Sequence, residues 1–191
     1  MPTVADSGLE IYPLSLERYE RMVDAGILGP NDRVELLRGV LAAVTPQGIT
    51  HAGVIEELTH LLVSDLPRDM RVRVQLPLRL PESGSEPEPD LAVVEAGPRT
   101  THHPQSAQLV IEVADCSQSR DLNVKAAIYA ESGIQEYWVI AVRDRAVTVH
   151  REPSPAGYAE RTVVHSGALQ ATDPRIPSVD LDDLLPHLGD G

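Results

Sequence analysis

Glu112 sits inside Leu109-Val-Ile-Glu-Val113, a run apolar enough for a central strand. An ionised carboxylate there is costly unless a cation, a metal or several donors compensate it. Asp90 opens a second such run, Asp90-Leu-Ala-Val-Val94, with a loop of 14 residues (95–108) between the two. If the runs pair as antiparallel strands, both carboxylates fall at the same end of the sheet. Two carboxylates converging at a strand end form a hard-oxygen site suited to Mg²⁺ or Mn²⁺. The plainer alternative is that Asp90 caps a turn after Pro89 while Glu112 pairs with an arginine.

The third residue of interest is a lysine. Of the 16 basic residues, 15 are arginine and one, Lys125, is lysine. A general bias towards arginine accounts for the shortage, yet a lysine is also a compact charge whose pKa responds to burial, which a guanidinium does not match. Leu122 and Tyr129 stand three residues before and four after it, which draws Lys125 towards the sheet near Glu112. A cation there balances the acidic pair and acts on a metal-bound water. The alternative is an exposed Lys125–Asp121 pair worth a few tenths of a kcal/mol.

The elements that must hold these residues follow from patterning. Ser15 is an N-cap, with Leu16, Tyr19, Met22 and Val23 at helical spacing before Gly26. Residues 34–45 read as a hairpin turning at Arg38-Gly39, and Ile49–Leu66 as an amphipathic helix. Met70–Leu80 alternates strictly for most of its length and is expected to be one long strand. Its polar face would carry the stripe Arg71, Arg73, Gln75 and Arg79, which could grip phosphates or simply meet solvent. Pro81–Pro89 reads as an acidic loop, about 120–132 as a helix ended by Gly133, and 136–141 with 146–150 as a hairpin. A further edge-like strand, 158–164, and a short acidic segment, 180–185, complete the chain. The order α-β-β-α-β-β-β-α-β-β-β indicates one domain over 1–191 of the mixed α/β (α+β) class, a central mixed sheet flanked by helices. Its core is expected over about 14–150, with the C-terminal strand and tail over 151–191.

Sixteen basic against 29 acidic residues leave a net charge of −13. Such a surface repels nucleic acid at long range, so contact with it requires a local basic patch or bound cations. No run approaches the roughly 18 apolar residues of a membrane span, and no basic segment leading into an apolar run suggests a signal peptide. One cysteine, Cys116, excludes an internal disulfide framework and a Cys-rich zinc site, and a reducing cytoplasm is the default. His51, near Gly48, is a candidate to contact substrate or water, or else a half-buried helix-terminal histidine. His102-His103 lack partners at metal-ligand spacing. Trp138 and Tyr137 read as core or interface, and Cys116 as a small buried thiol. Phosphate-loop, dinucleotide, zincin and nucleophile-elbow patterns are absent from the sequence.

Taken in order, EPEPD ending at Asp90, LVIEVAD containing Glu112, and KAAIYAESGIQEYWVI beginning at Lys125 resemble the PD-(D/E)xK nuclease superfamily, and most closely its Uma-type branch of restriction endonucleases. The likeness runs from about Leu14 to His150. It implies a restriction-endonuclease-like core and metal-dependent cleavage of a nucleic-acid phosphodiester, DNA in the first place. Asp90 and Glu112 match the metal-binding acids, with the Val113 carbonyl as a third ligand. Lys125 matches the lysine that orients water and stabilises charge on the phosphate. Glu35, in RVELLRG, matches the acidic position of the first motif, which implies a catalytic role, adding a metal ligand or positioning water. Two after Glu112 stands Ala114 where the superfamily's basic spacing has lysine, so the lysine is carried by the helix instead. A homodimer follows only as an analogy at the level of fold. The rival from another class is a non-catalytic nuclease-fold module for protein or DNA contacts, which the acidic charge favours. Glycoside hydrolysis comes last, since one Trp, five Tyr and no Phe leave few sugar platforms.

Overall fold

Local signals set most of the boundaries in the computed structural model, which describes residues 11–44, 47–98, 102–114 and 119–185, with the side chains of 119–122 outside that set. Ser15 is extended and its side chain accepts from the Arg18 backbone, starting α1 (Leu16–Asp24). Arg38 and Gly39 both take positive φ (49° and 77°), the pair a two-residue hairpin needs between β1 (Val34–Leu37) and β2 (Val40–Ala43). Helix α2 (Ile49–Asp65) follows.

The central sheet has six strands: β3 (Met70–Val74), β4 (Leu91–Glu95), β5 (Leu109–Ala114), β6 (Glu136–Ala141), β7 (Ala146–Ser154) and β8 (Gly157–Val164), ordered as in the chain. Every neighbouring pair is antiparallel except β5–β6, which is parallel. Helix α3 (Ser119–Glu131) supplies the crossover that a parallel pair requires. Fold class thus agrees with the patterning: a mixed α+β structure built on a central mixed sheet.

Both faces of the sheet are covered. On one, Leu58 and Leu62 of α2 pack with Leu109, Ile111, Trp138 and Val147. The C-terminal segment joins this layer through Leu169 and Val179 of a two-stranded ribbon, β9 (Ala168–Leu169) with β10 (Val179–Asp180), and through α4 (Leu181–Leu184). On the other, Ile128 and Tyr129 of α3 pack with Ala92, Val110 and Tyr137. Each fully buried aliphatic or aromatic side chain contributes about 1.5–3 kcal/mol of transfer free energy. Beside these layers, Leu16 and Tyr19 of α1 pack on Leu36 of the hairpin.

Two expectations are corrected. The strand beginning at Met70 stops at Val74, because Gln75 has φ 51° and breaks the alternation. Met70 lies in the α2 layer, whereas Leu78 and Leu80, of the same sequence parity, lie in the α3 layer. The arginine stripe therefore does not exist as one face. The acidic loop Pro81–Pro89 is more ordered than its composition suggests. A 3₁₀ turn over Pro81–Ser83 is followed by bridges Leu80–Ser85 and Leu36–Glu86, and Ser83, Ser85 and Glu86 are buried. The segment clips the hairpin in place: Glu86 N donates to Leu36 O (2.7 Å) and Arg38 N to Ser85 Oγ (2.9 Å).

Candidate active site

The β4–β5 register pairs Leu91 with Ile111, so one step further places Asp90 beside Glu112 at the same sheet end. Asp90 lies just outside β4, and its Oδ2 accepts from Val113 N at 2.8 Å, capping the free edge of β5. His51, in the first turn of α2, brings Nε2 to 3.1 Å from the same oxygen. That hydrogen bond with Asp90 raises the imidazole pKa against the opposing effect of burial, and the ring also faces the Val113 backbone.

Glu112, two residues after Val110 and so on the same face of β5, is held from α3. Lys125 Nζ and Tyr129 Oη each stand 3.0 Å from its Oε1. The two donors are one helical turn apart, which puts them on one face of the helix. Lys125 also reaches Glu35 Oε2 at 3.1 Å, and that oxygen accepts from Glu88 N at 3.1 Å. Asp90, Glu112, Lys125 and Glu35 are only 6–8% exposed, so the reading of Lys125 as a solvated pair gives way to a buried ammonium between two carboxylates.

Burial pushes Glu112 up to about 7, with Lys125 pulling the other way and the charges of Asp90 and Glu35 adding to the rise. For Lys125, burial alone would lower the pKa, but Glu112 and Glu35 outweigh it and hold the ammonium charged well above the ordinary lysine range. Burial also raises Glu88, with Glu35 contributing. A lysine so held is a fixed positive charge and cannot serve as a proton acceptor near neutrality.

Among the described residues, no three His, Cys, Asp or Glu side chains are already gathered as a metal cage. The donor set nevertheless fits a hard divalent ion. Both contacts to Glu112 fall on Oε1 and both to Asp90 on Oδ2, leaving the second oxygen of each carboxylate uncommitted among the described residues. Mg²⁺ in particular is held by one or two carboxylates while keeping several waters.

The other candidates are elsewhere engaged. Arg71 donates to the Arg68 and Met70 carbonyls. Arg73 donates to Pro77 O and approaches His103 Nδ1 at 3.5 Å, while Arg79 pairs with Glu20 at 2.6 Å. Trp138 is core, its Nε1 donating to Glu136. Cys116 lies outside the described residues. Sequence spacing marked Tyr129 only as a core residue. Its recurrence four positions after Lys125 was the available signal for a hydroxyl aimed at Glu112.

The model of the Uma2 family, described as "putative restriction endonuclease", matches residues 16–183. The chain belongs to this family. Among solved structures, "a putative nuclease belonging to DUF820 from Anabaena variabilis" superposes with a TM-score of 0.72 at 20% identity, covering 91% of this chain and 98% of that one. At that identity the likeness establishes a shared fold. No curated protein matches the sequence. The Uma2 match takes in Glu35, His51, Asp90, Glu112 and Lys125, and among the described residues no helix is long and apolar enough to cross a membrane.

Proposed function

We propose that this Uma2 protein is an endonuclease that hydrolyses nucleic-acid phosphodiesters, DNA in the first place, with Mg²⁺ or Mn²⁺ held by Asp90, Glu112 and the Val113 carbonyl. The observation that carries the reading is the buried Lys125 ammonium 3.0 Å from Glu112, at the strand end where Asp90 also stands. The divalent ion, when bound, supplies Lewis-acid polarisation of the phosphoryl oxygens and a more acidic water. Lys125 supplies a second, fixed positive charge where negative charge builds on the phosphate. Glu35 is a positioning residue: by sharing Lys125 with Glu112 it fixes where that ammonium points. Tyr129 similarly fixes one oxygen of Glu112, leaving the other for coordination. A homodimer and a cytoplasmic setting belong to the same reading.

The net charge of −13 favours the rival of a non-catalytic module, since the field opposes DNA. Cleavage and metal uptake separate the two. Purified protein incubated with single- and double-stranded DNA and Mg²⁺ or Mn²⁺ should cut. Asp90→Asn and Lys125→Ala should each lower the rate by about a hundredfold or more, the scale of a lost electrostatic contact in the transition state. Cutting that survives unchanged in both folded variants overturns the mechanism. Folded protein that neither cuts nor takes up millimolar Mn²⁺ supports the module.

A further inference from the structure

Two groups offered above to a divalent ion, the Asp90 carboxylate and the Val113 backbone, are both faced by a third side chain from a different element. His51 comes from the first turn of α2, and its side chain is only 12% exposed. Its Nε2 lies 3.1 Å from Asp90 Oδ2, and the ring faces the Val113 backbone. Its Nδ1 is buried and has no hydrogen-bond partner among the described residues, so contacts at Nε2 are what place the ring.

We propose that His51 is a nitrogen ligand of the site's cation, completing an Asp90–Val113 carbonyl–His51 face and biasing the site towards Mn²⁺ over Mg²⁺. The inference rests on the metal-dependent reading above. Two ligands at right angles on an octahedral ion, with bonds of about 2.1 Å, are about 3.0 Å apart. Nε2 and Oδ2 already have that separation. An ion that takes the place of the hydrogen bond between them, with the Nε2 proton lost, can therefore join them with little movement of either, Asp90 then using Oδ2 beside or instead of its uncommitted oxygen. Chemistry sets the preference. Carboxylate, carbonyl and water suit Mg²⁺ and Mn²⁺ alike, while an imidazole adds affinity that rises along the first-row series and does little for Mg²⁺. The face needs only one carboxylate, which agrees with Glu112 being occupied on one oxygen by Lys125 and Tyr129.

The test is metal binding by the whole chain, read without catalysis. Mn²⁺ and Mg²⁺ are titrated calorimetrically into wild type, His51→Gln, His51→Asn and Asp90→Asn, and pulsed electron paramagnetic resonance of the Mn²⁺-loaded proteins reads coupling to ¹⁴N. Wild type should show histidine nitrogen coupling. The His51 variants should lose it and bind Mn²⁺ about tenfold or more weakly, with a smaller change for Mg²⁺. Wild type without nitrogen coupling overturns the inference. So do folded His51 variants that keep Mn²⁺ affinity or gain it, the latter marking His51 as a competitor for Asp90. Nitrogen coupling in the wild type is read without any variant, so its absence overturns the inference even where a His51 variant does not fold. Metal uptake lost in Asp90→Asn but intact in the His51 variants leaves the nuclease reading standing and removes this one. Uptake unaffected by Asp90→Asn removes both.

Discussion

Replacing Lys125 by methionine keeps the stem and removes the charge, leaving Glu112 and Glu35 buried together without their cation. The contacts at 3.0 and 3.1 Å each correspond to about 5 kcal/mol of attraction at an effective dielectric near 20. Desolvating the ammonium offsets several kcal/mol of that, so a net loss of about 3–5 kcal/mol at pH 8.5 is expected, as for other broken buried pairs. An exposed Lys125–Asp121 pair would have cost a few tenths. The sign with pH is also determined. Glu112 is raised to about 7 even with Lys125 opposing the rise, and without Lys125 it rises further. A carboxyl raised in the folded state destabilises fully above its folded pKa, and the penalty vanishes as pH falls towards the unfolded value near 4.3. The deficit of the variant should therefore be smaller at pH 5 than at pH 8.5, with the change falling above about pH 7, where wild-type Glu112 has lost its proton and that of the variant has not. Adding Glu112→Gln should restore part of the loss, because it removes one of the two stranded charges. Urea denaturation of wild type, the single variants and the double variant at both pH values measures all of this. A loss below about 1 kcal/mol at pH 8.5, or one that does not change with pH, refutes the buried triad as the source of the cost.

Other parts of the molecule give further expectations. Glu86 is 5% exposed, and burial, with the charge of Glu20 adding, pushes it up to about 7, so wild-type stability should fall as pH rises from about 4.5 through 7. Glu86→Gln should remove about half of that slope, Glu112 being raised to the same range and supplying a comparable part, and be more stable than wild type at pH 8.5 by up to about 3 kcal/mol, read by urea titration. Glu136 is fully buried and accepts from Trp138 Nε1 (2.7 Å), Arg151 Nη2 (2.8 Å) and Thr172 N (2.6 Å). Glu136→Ala should cost about 3–5 kcal/mol and, by hydrogen exchange, loosen residues 168–185 first. At Gly39, φ is 77° and a Cβ would lie 2.7 Å from Pro13 Cβ, so Gly39→Ala should lower stability by about 2 kcal/mol or more in thermal unfolding.

Elements with strong local chemistry were legible in the chain itself. A serine ahead of a helical pattern, an Arg-Gly hairpin turn and the apolar runs around Asp90 and Glu112 are decided by capping, by positive φ and by the cost of leaving apolar surface in water. These are interactions between residues close in sequence, or properties of one strand, and they survive without knowledge of the partners. The single lysine was visible for the same reason, as a departure in composition.

The structure alone decided what depends on distant segments meeting. Alternation from Met70 to Leu80 carried no mark of the positive φ at Gln75 that turns the later leucines to the opposite layer. Within the acidic stretch Pro81–Pro89, Ser83, Ser85 and Glu86 are buried because the hairpin supplies hydrogen bonds to this segment. Whether Lys125 met solvent or acid turned on Glu35, 90 positions earlier in the chain, and whether His51 met Asp90 turned on where α2 crosses the end of β5. Pattern reads which residues avoid water. Which charges then face one another is settled by the packing of layers, and at 3 Å separations that choice is worth several kcal/mol per pair.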